Sequence, residues 1–68
     1  MKTTETIDGI EVEIEWEFIE IVERHDSNWC DWYIEGDGSD GKKYCANCGG
    51  DAWHAEDSHS DPENVEEI

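Results

Sequence analysis

Hydrophobic and acidic residues alternate strictly from residue 10 to residue 18. Apolar side chains occupy the even positions and glutamates the odd ones, which is the period-two pattern of a β-strand with one buried and one solvated face. The pattern slips afterwards, because Ile19 and Ile21 are apolar at odd positions. A β-bulge near Phe18 would reconcile the two halves. The sequence therefore predicts one long strand whose solvated face carries Glu11, Glu13, Glu15 and Glu17.

An Asp-Gly pair predicts a hairpin before this strand. Asp8-Gly9 stands between Ile7 and Ile10. Asp-Gly suits a two-residue turn, since both turn positions need positive φ. We therefore expect residues 3–7 to form a short strand that pairs with the long one.

A second Asp-Gly pair predicts another hairpin in the middle of the chain. If the turn at Asp37-Gly38 also has two residues, Cys30 lies opposite Cys45, so the turn signal and the cysteine positions agree. The segment from residue 36 to residue 41 is glycine-rich throughout, and a longer loop there would change this register.

Residues 44–50 read YCANCGG and carry the clearest chemical motif of the chain. Two cysteines two residues apart, closed by glycines, predict a tight turn that directs two thiolates to one point, as tetrahedral zinc sites require. Zinc would also stabilise a chain of 68 residues that is only 35% hydrophobic. Chains of this size are marginal on hydrophobic burial alone.

The Cys-x-x-Cys-Gly segment resembles half of a zinc ribbon or half of a zinc knuckle, and the two resemblances imply different ligands. A ribbon holds zinc between two turns joined by a β-hairpin. The knuckle of retroviral nucleocapsids runs Cys-x2-Cys-x4-His-x4-Cys, whereas this chain has one more residue before the first histidine and a histidine at the last position. The ribbon set, which we favour, is His25, Cys30, Cys45 and Cys48. The knuckle set is Cys45, Cys48, His54 and His59. A mixed set of the three cysteines with one of the later histidines remains open, and so do thiols without metal, including a disulfide between Cys30 and Cys45.

Charge and cysteine content limit the partners and the compartment. Twenty acidic residues against four basic ones give a formal charge of −16, which should repel anionic nucleic acid and membrane surfaces and favour a protein with a basic surface. No secretory signal follows Met1-Lys2, and no segment has the length of a membrane span. Three cysteines cannot all pair within one chain, so we expect a reducing, cytoplasmic location.

The acidity has three interpretations: solubility, salt adaptation, or a binding surface that imitates nucleic acid. The glutamate row places one carboxylate about every 6.7 Å along the strand. Phosphates of a single DNA strand are spaced about 3.4 Å apart along the axis. Acids from a neighbouring strand, or Glu5 and Glu35, would have to fill in for the row to match that density.

The sequence thus predicts a small all-β fold with an N-terminal hairpin and a zinc-ribbon-like hairpin that contains the Cys-x-x-Cys turn. The domain spans residues 1–55 and includes a last short strand over residues 51–55, and residues 56–68 form a disordered acidic tail.

No spacing specifies a catalytic set, so we expect binding rather than enzymatic activity. The predicted function is an inhibitor that occupies a basic, nucleic-acid-binding surface, as small acidic products of phages and mobile elements do. The alternative is a zinc-ribbon adaptor in a transcription or processing assembly. The inhibitor would contact its partner through the glutamate row, whereas the adaptor would use Trp29, Trp32 and the hairpin.

Overall fold

Five antiparallel strands lie side by side in one sheet, in the order in which they occur along the chain. The computed structural model describes residues 1–68, and the sheet curls into a half-barrel. The strands are β1 (Lys2–Ile7), β2 (Ile10–Arg24), β3 (Trp29–Gly38), β4 (Lys43–Asp51) and β5 (Glu63–Glu67). The prediction of a small all-β fold is confirmed. The structure has no helix that could span a membrane.

β1 and β2 form the predicted N-terminal hairpin. Ile7 pairs with Ile10 across a two-residue turn. Both turn residues have positive φ, 51° at Asp8 and 79° at Gly9, as a type I′ turn requires. The Asp-Gly signal therefore predicted both the position and the type of this turn.

The predicted β-bulge lies in the middle of β2. Phe18 pairs with Ile34, and the next paired residue, Glu20, lies opposite Tyr33. Ile19 is thus the extra residue that shifts the alternation of β2 from even to odd positions. A second register shift, which the sequence pattern did not reveal, follows farther along the same strand.

The apolar positions of the three central strands share the concave, inner face of the sheet. Because the sheet curls, its own side chains enclose the core, and the residues of that core are at most 4% exposed. They are Val12, Ile14, Trp16, Ile34, Tyr44, Ala46 and Cys48. The intervening glutamates of β2 point to the convex, outer face and are exposed.

Glycines of β3 and β4 lie beneath aromatic rings. A Cβ atom at Gly36 would lie 2.6 Å from Ile14 Cγ2 and 2.9 Å from Trp16 Cε3, which is closer than side chains pack. Glycine therefore lets these two side chains approach the backbone of β3. The same relationship joins Tyr44 to Gly38, Trp29 to Gly49 and Trp32 to Gly50.

The prediction of a two-residue turn at Asp37-Gly38 is wrong. β3 continues through both residues, and residues 39–42 connect it to β4. The positive φ of this connection falls on Gly41, at 83°. Gly38 can remain in the strand because the ring of Tyr44 lies over it.

The Cys-x-x-Cys segment is likewise a strand and not the predicted turn. It lies in the middle of β4, and each residue from Cys45 to Cys48 pairs with β3. Backbone pairing extends to Asp51, so the glycines after Cys48 continue the strand instead of closing a loop under a metal. Tryptophan side chains occupy the space above these two glycines.

The strand predicted over residues 51–55 is a turn after its first residue. The carboxylate of Asp51 accepts hydrogen bonds from the backbone nitrogens of Trp53 and His54, at 2.8 and 2.9 Å. Such Asp-to-backbone bonds are typical of turns. They bend the chain over the inner face, where Ala55 is buried.

The segment predicted to be a disordered tail instead folds back onto β4. His59 forms a bridge with Gly50, and β5 pairs antiparallel with β4. Val65 packs against the inner core. The packing of Val65 and the backbone pairing of β5 with β4 therefore order this segment, although its charge alone predicts disorder.

Candidate functional site

Cys45 and Cys48 point to opposite faces of the sheet. Successive side chains of a strand alternate between faces, so positions three apart lie on opposite sides. Cys48 is buried in the inner core, whereas Cys45 is half-buried on the outer face, opposite Glu35. Both predicted ligand sets need these thiolates at one point, and the strand does not bring them there.

Cys30 lies on the inner face but not beside Cys45. It is opposite Gly50, five residues beyond the position predicted from the Asp37-Gly38 turn. All three cysteines are free thiols. Burial, and to a smaller extent the charge of Asp31, raises the pKa of Cys48 to about 11. Cys30 and Cys48 are therefore arranged as buried core residues of the inner face.

The two later histidines are also separate from the cysteines. His54 is exposed on the turn after β4. The ring of His59 packs against Phe18, with 5.9 Å between ring centroids, and its Nδ1 lies 3.0 Å from the carbonyl oxygen of Ser60. Neither the knuckle set nor the ribbon set is assembled.

One group of metal-ligand side chains does converge, at the end of β2. The ligand atoms of Glu23, His25 and Asp31 lie within 4.8 Å of one another. His25 Nε2 is 2.9 Å from Asp31 Oδ2, and both side chains are nearly half exposed. The hydrogen bond that His25 donates to Asp31, and then the negative charge of Asp31, raises the pKa of His25 above its ordinary value of 6.5. His25 is therefore close to two carboxylates, whereas the ribbon prediction places it together with three cysteines.

The acidic face comprises the outer-face carboxylates of β2 and β3. Three pairs within it lie directly opposite each other across the ladder: Glu15 with Asp37, Glu17 with Glu35, and Glu23 with Asp31. Like charges in such positions destabilise a sheet. The members of the acidic face are Glu11, Glu13, Glu15, Glu17, Glu20, Glu23, Asp31, Glu35 and Asp37.

Two lysines offset part of this charge. Lys43 Nζ lies 2.8 Å from Asp37 Oδ1, which raises the pKa of Lys43, and Lys2 Nζ lies 3.7 Å from Glu13 Oε2. Both pairs are exposed to solvent, where such bridges contribute little stability. Glu17 has no cationic partner, so the middle of the acidic face is uncompensated.

A tyrosine orients one carboxylate of the acidic face. Tyr33 donates a hydrogen bond of 2.8 Å from its hydroxyl to Glu35 Oε2. This bond, followed by burial and by the charge of Glu35, raises the pKa of Tyr33 to about 12. Glu35 is therefore held as an acceptor directly opposite Glu17.

The two tryptophans predicted to bind a partner lie on different faces. Trp29 covers Gly49 on the outer face and is 36% exposed. Trp32 points inward and packs edge-on against Phe18, with 5.4 Å between ring centroids. The indole Nε1 of Trp32 is buried without a hydrogen-bond partner. These two side chains do not form one contact surface.

A cleft of about 350 Å³ opens beside Trp32. Its apolar wall includes Trp53, which is 75% exposed. No spacing in the sequence distinguishes this residue from the other tryptophans, and partner binding was predicted for Trp29 and Trp32 instead. The acidic residues that line the cleft are Glu17, Glu56 and Asp57.

Comparison of the chain with protein-family models, characterised proteins and solved structures gave no match, so the fold and the surface described above are the basis for a functional assignment.

Proposed function

We propose that this chain is a binding protein whose acidic face occupies a basic, nucleic-acid-binding surface of a partner protein. The observation that carries the proposal is the set of three directly opposed acidic pairs across β2 and β3. Such pairs repel each other in the free protein. A basic groove would relieve that repulsion, so binding is favoured by charge on both sides.

The spacing of the carboxylates supports imitation of a phosphate backbone. Along β2 the glutamates alone are about 6.7 Å apart. Acids of β3 lie opposite Glu15 and Glu17 and double the number of charges over that stretch. The average there becomes one charge per ~3.4 Å of strand, which is the phosphate spacing along one DNA strand. Glu5 does not contribute, because it pairs with Val12 and is half-buried on the inner face.

The carboxylates are carried by paired strands, which also supports the proposal. A rigid array loses little conformational freedom on binding, so more of the electrostatic attraction appears as affinity. Most of these carboxylates are exposed on the outer face of the sheet, where a macromolecular partner can contact several of them at once, so we propose binding.

The test is a comparison of two charge-reversed variants with equal net charge. One carries Glu13→Lys, Glu15→Lys and Glu17→Lys on the acidic face. The matched control carries Asp61→Lys, Glu63→Lys and Glu67→Lys, all exposed and outside that face. Each is immobilised, exposed to cell extract at low and high salt, and its bound proteins are identified.

We expect the wild type and the control to retain a basic partner that nucleic acid displaces, and the acidic-face variant to lose it. Retention should fade with salt, because exposed charges are screened within a Debye length of about 8–10 Å. Equal recovery by all three proteins would contradict the proposal. Binding that survives salt and depends on Trp29 would favour the adaptor function instead.

Zinc binding is a second candidate function, and one observation favours a revised ligand set. The imidazole and carboxylates of Glu23, His25 and Asp31 converge within 4.8 Å, and zinc accepts such nitrogen and oxygen ligands. We propose that His25 binds zinc with these carboxylates. Elemental analysis of protein purified without added metal tests this proposal.

A further inference from the structure

The cleft beside the acidic face indicates which side chain of a basic partner the protein selects. From its geometry we infer that the cleft receives one arginine side chain, stacked on Trp53 and held by a carboxylate. This inference rests on the proposed function and specifies its anchor point.

Trp53 is held in its exposed position by the fold. The carboxylate of Asp51 accepts a hydrogen bond of 2.8 Å from the backbone nitrogen of Trp53. The preceding residue, Ala52, donates a backbone hydrogen bond of 2.7 Å to Asn28. A tryptophan that is 75% exposed on a hydrogen-bonded turn is preorganised for contact, and tryptophan is enriched among residues that dominate binding energy.

The walls of the cleft combine aromatic faces with negative charge. The cleft is lined by the aromatic residues Phe18, Trp32 and Trp53 and by the acidic residues Glu17, Glu56 and Asp57. No lysine or arginine of the chain lines the cleft. Glu56 already contacts the amino group of Met1 at 2.9 Å, and Glu17 directs its side chain to the outer face opposite Glu35, which leaves the carboxylate of Asp57 for a ligand.

Arginine fits this combination better than lysine does. Its planar guanidinium stacks on aromatic rings and donates paired hydrogen bonds to carboxylates, whereas the lysine ammonium is a compact and strongly hydrated charge. The cleft also shares Glu17 with the acidic face. β1 pairs with β2 only as far as Glu15, so β2 has an open edge at Glu17, and a basic segment on the outer face can pass one side chain over that edge into the cleft.

The test uses three synthetic peptides: hexalysine, the same peptide with one central arginine, and the same peptide with citrulline, a neutral analogue of arginine, at that position. Affinities are measured by calorimetry for the wild type, Trp53→Ala and Trp53→Phe. Ile10→Ala is the control, since Ile10 is an exposed apolar residue outside the cleft. Circular dichroism verifies that each variant is folded.

We expect the wild type and Ile10→Ala to bind the arginine peptide about fivefold more tightly than hexalysine, the gain typical of a cation–π contact. The citrulline peptide should bind the wild type no more tightly than hexalysine does. The preference for the arginine peptide should be partly retained in Trp53→Phe and lost in Trp53→Ala. Equal affinity of the wild type for the arginine and lysine peptides, or a gain that persists in Trp53→Ala, would overturn the inference.

Failure of the proposed function gives a different result. Glu11→Gln with Glu13→Gln removes two charges of the acidic face that do not line the cleft. If this variant binds hexalysine as tightly as the wild type does, the acidic face is not the binding surface. The increase in affinity from hexalysine to the arginine peptide would then still report binding in the cleft alone.

Discussion

Trp16 of β2 lies directly opposite Gly36 of β3, and its Cε3 atom is 2.9 Å from the position of a Cβ atom at residue 36. The backbone oxygen of Glu15 is even closer to that position, at 2.7 Å. Gly36→Ala should therefore strain the sheet and lower the free energy of unfolding by about 1–3 kcal/mol, the usual range for overpacking. Urea unfolding monitored by circular dichroism measures this loss.

Gly49→Ala is the matched comparison. Its added Cβ would lie 2.9 Å from Trp29, but the ring is partly exposed and can move away. We expect a smaller loss of stability than at Gly36, together with a change in tryptophan fluorescence. Equal losses at the two positions would contradict the packing argument.

A buried tyrosine should make part of the stability dependent on pH. The hydroxyl of Tyr44 donates a hydrogen bond to Asp40, which lowers the pKa of Asp40 below its ordinary value of 3.8. A carboxyl group whose pKa is lower in the folded than in the unfolded state stabilises the fold at pH values above its unfolded-state pKa. This contribution disappears as pH falls through the folded-state pKa. Tyr44→Phe should therefore be less stable than the wild type at neutral pH.

The difference in stability between the wild type and Tyr44→Phe should itself depend on pH. The difference between the unfolding midpoints of the wild type and Tyr44→Phe should begin to shrink as pH falls below the ordinary carboxyl pKa of 3.8, and it should vanish only below the lowered pKa of Asp40 in the folded wild type. Urea titrations at several pH values measure the convergence. A difference that stays constant from neutral to acid pH would show that the hydrogen bond does not link stability to protonation.

His25 should titrate above its ordinary pKa of 6.5 because of its hydrogen bond to Asp31. Asp31→Asn should lower the pKa of His25, whereas Asp61→Asn, far along the sequence and exposed, should not. Proton NMR titration in the presence of a chelator measures both. A histidine whose pKa is higher in the folded than in the unfolded state stabilises the fold at pH values below its unfolded-state pKa. This contribution disappears as pH rises through the folded-state pKa.

Metal content should distinguish the ligand sets. If zinc is bound at the end of β2, Glu23→Gln and Asp31→Asn should each lower zinc affinity at least tenfold, and Cys45→Ser should leave it unchanged. Elemental analysis and competition with a chromogenic chelator measure these affinities. Loss of zinc in Cys45→Ser and Cys48→Ser, with Asp31→Asn silent, would restore the ribbon set and require β4 to open.

Local patterns predicted the first half of the sheet well. The alternation from residue 10 to residue 18 and the Asp8-Gly9 turn act between neighbours in sequence, so they identify β1, β2 and the bulge near Phe18 without knowledge of the rest. The outer position of the glutamates follows from the same alternation.

The register between β3 and β4, which determines which residues lie opposite the cysteines, could not be predicted from such local patterns. Asp37-Gly38 is a local turn signal, but Tyr44 and Trp16 cover the glycines of β3 from other strands and keep them in the sheet. Once the turn moves to residues 39–42, every pairing with β4 moves as well. The acidic pairs across β2 and β3 were hidden for the same reason, since they depend on a register that packing determines.

Because the sheet stops short of a closed barrel, β1 and β5 each leave one row of backbone groups without a strand beside it. Such an edge is a template for pairing with another chain. Both edge strands are short, and three of the five residues of β5 are glutamates. Mutual repulsion between copies, each with a formal charge of −16, thus opposes the extension of the sheet of one molecule into the sheet of the next. Where acid or a bound basic protein neutralises that charge, the fold has two open ends at which it can grow.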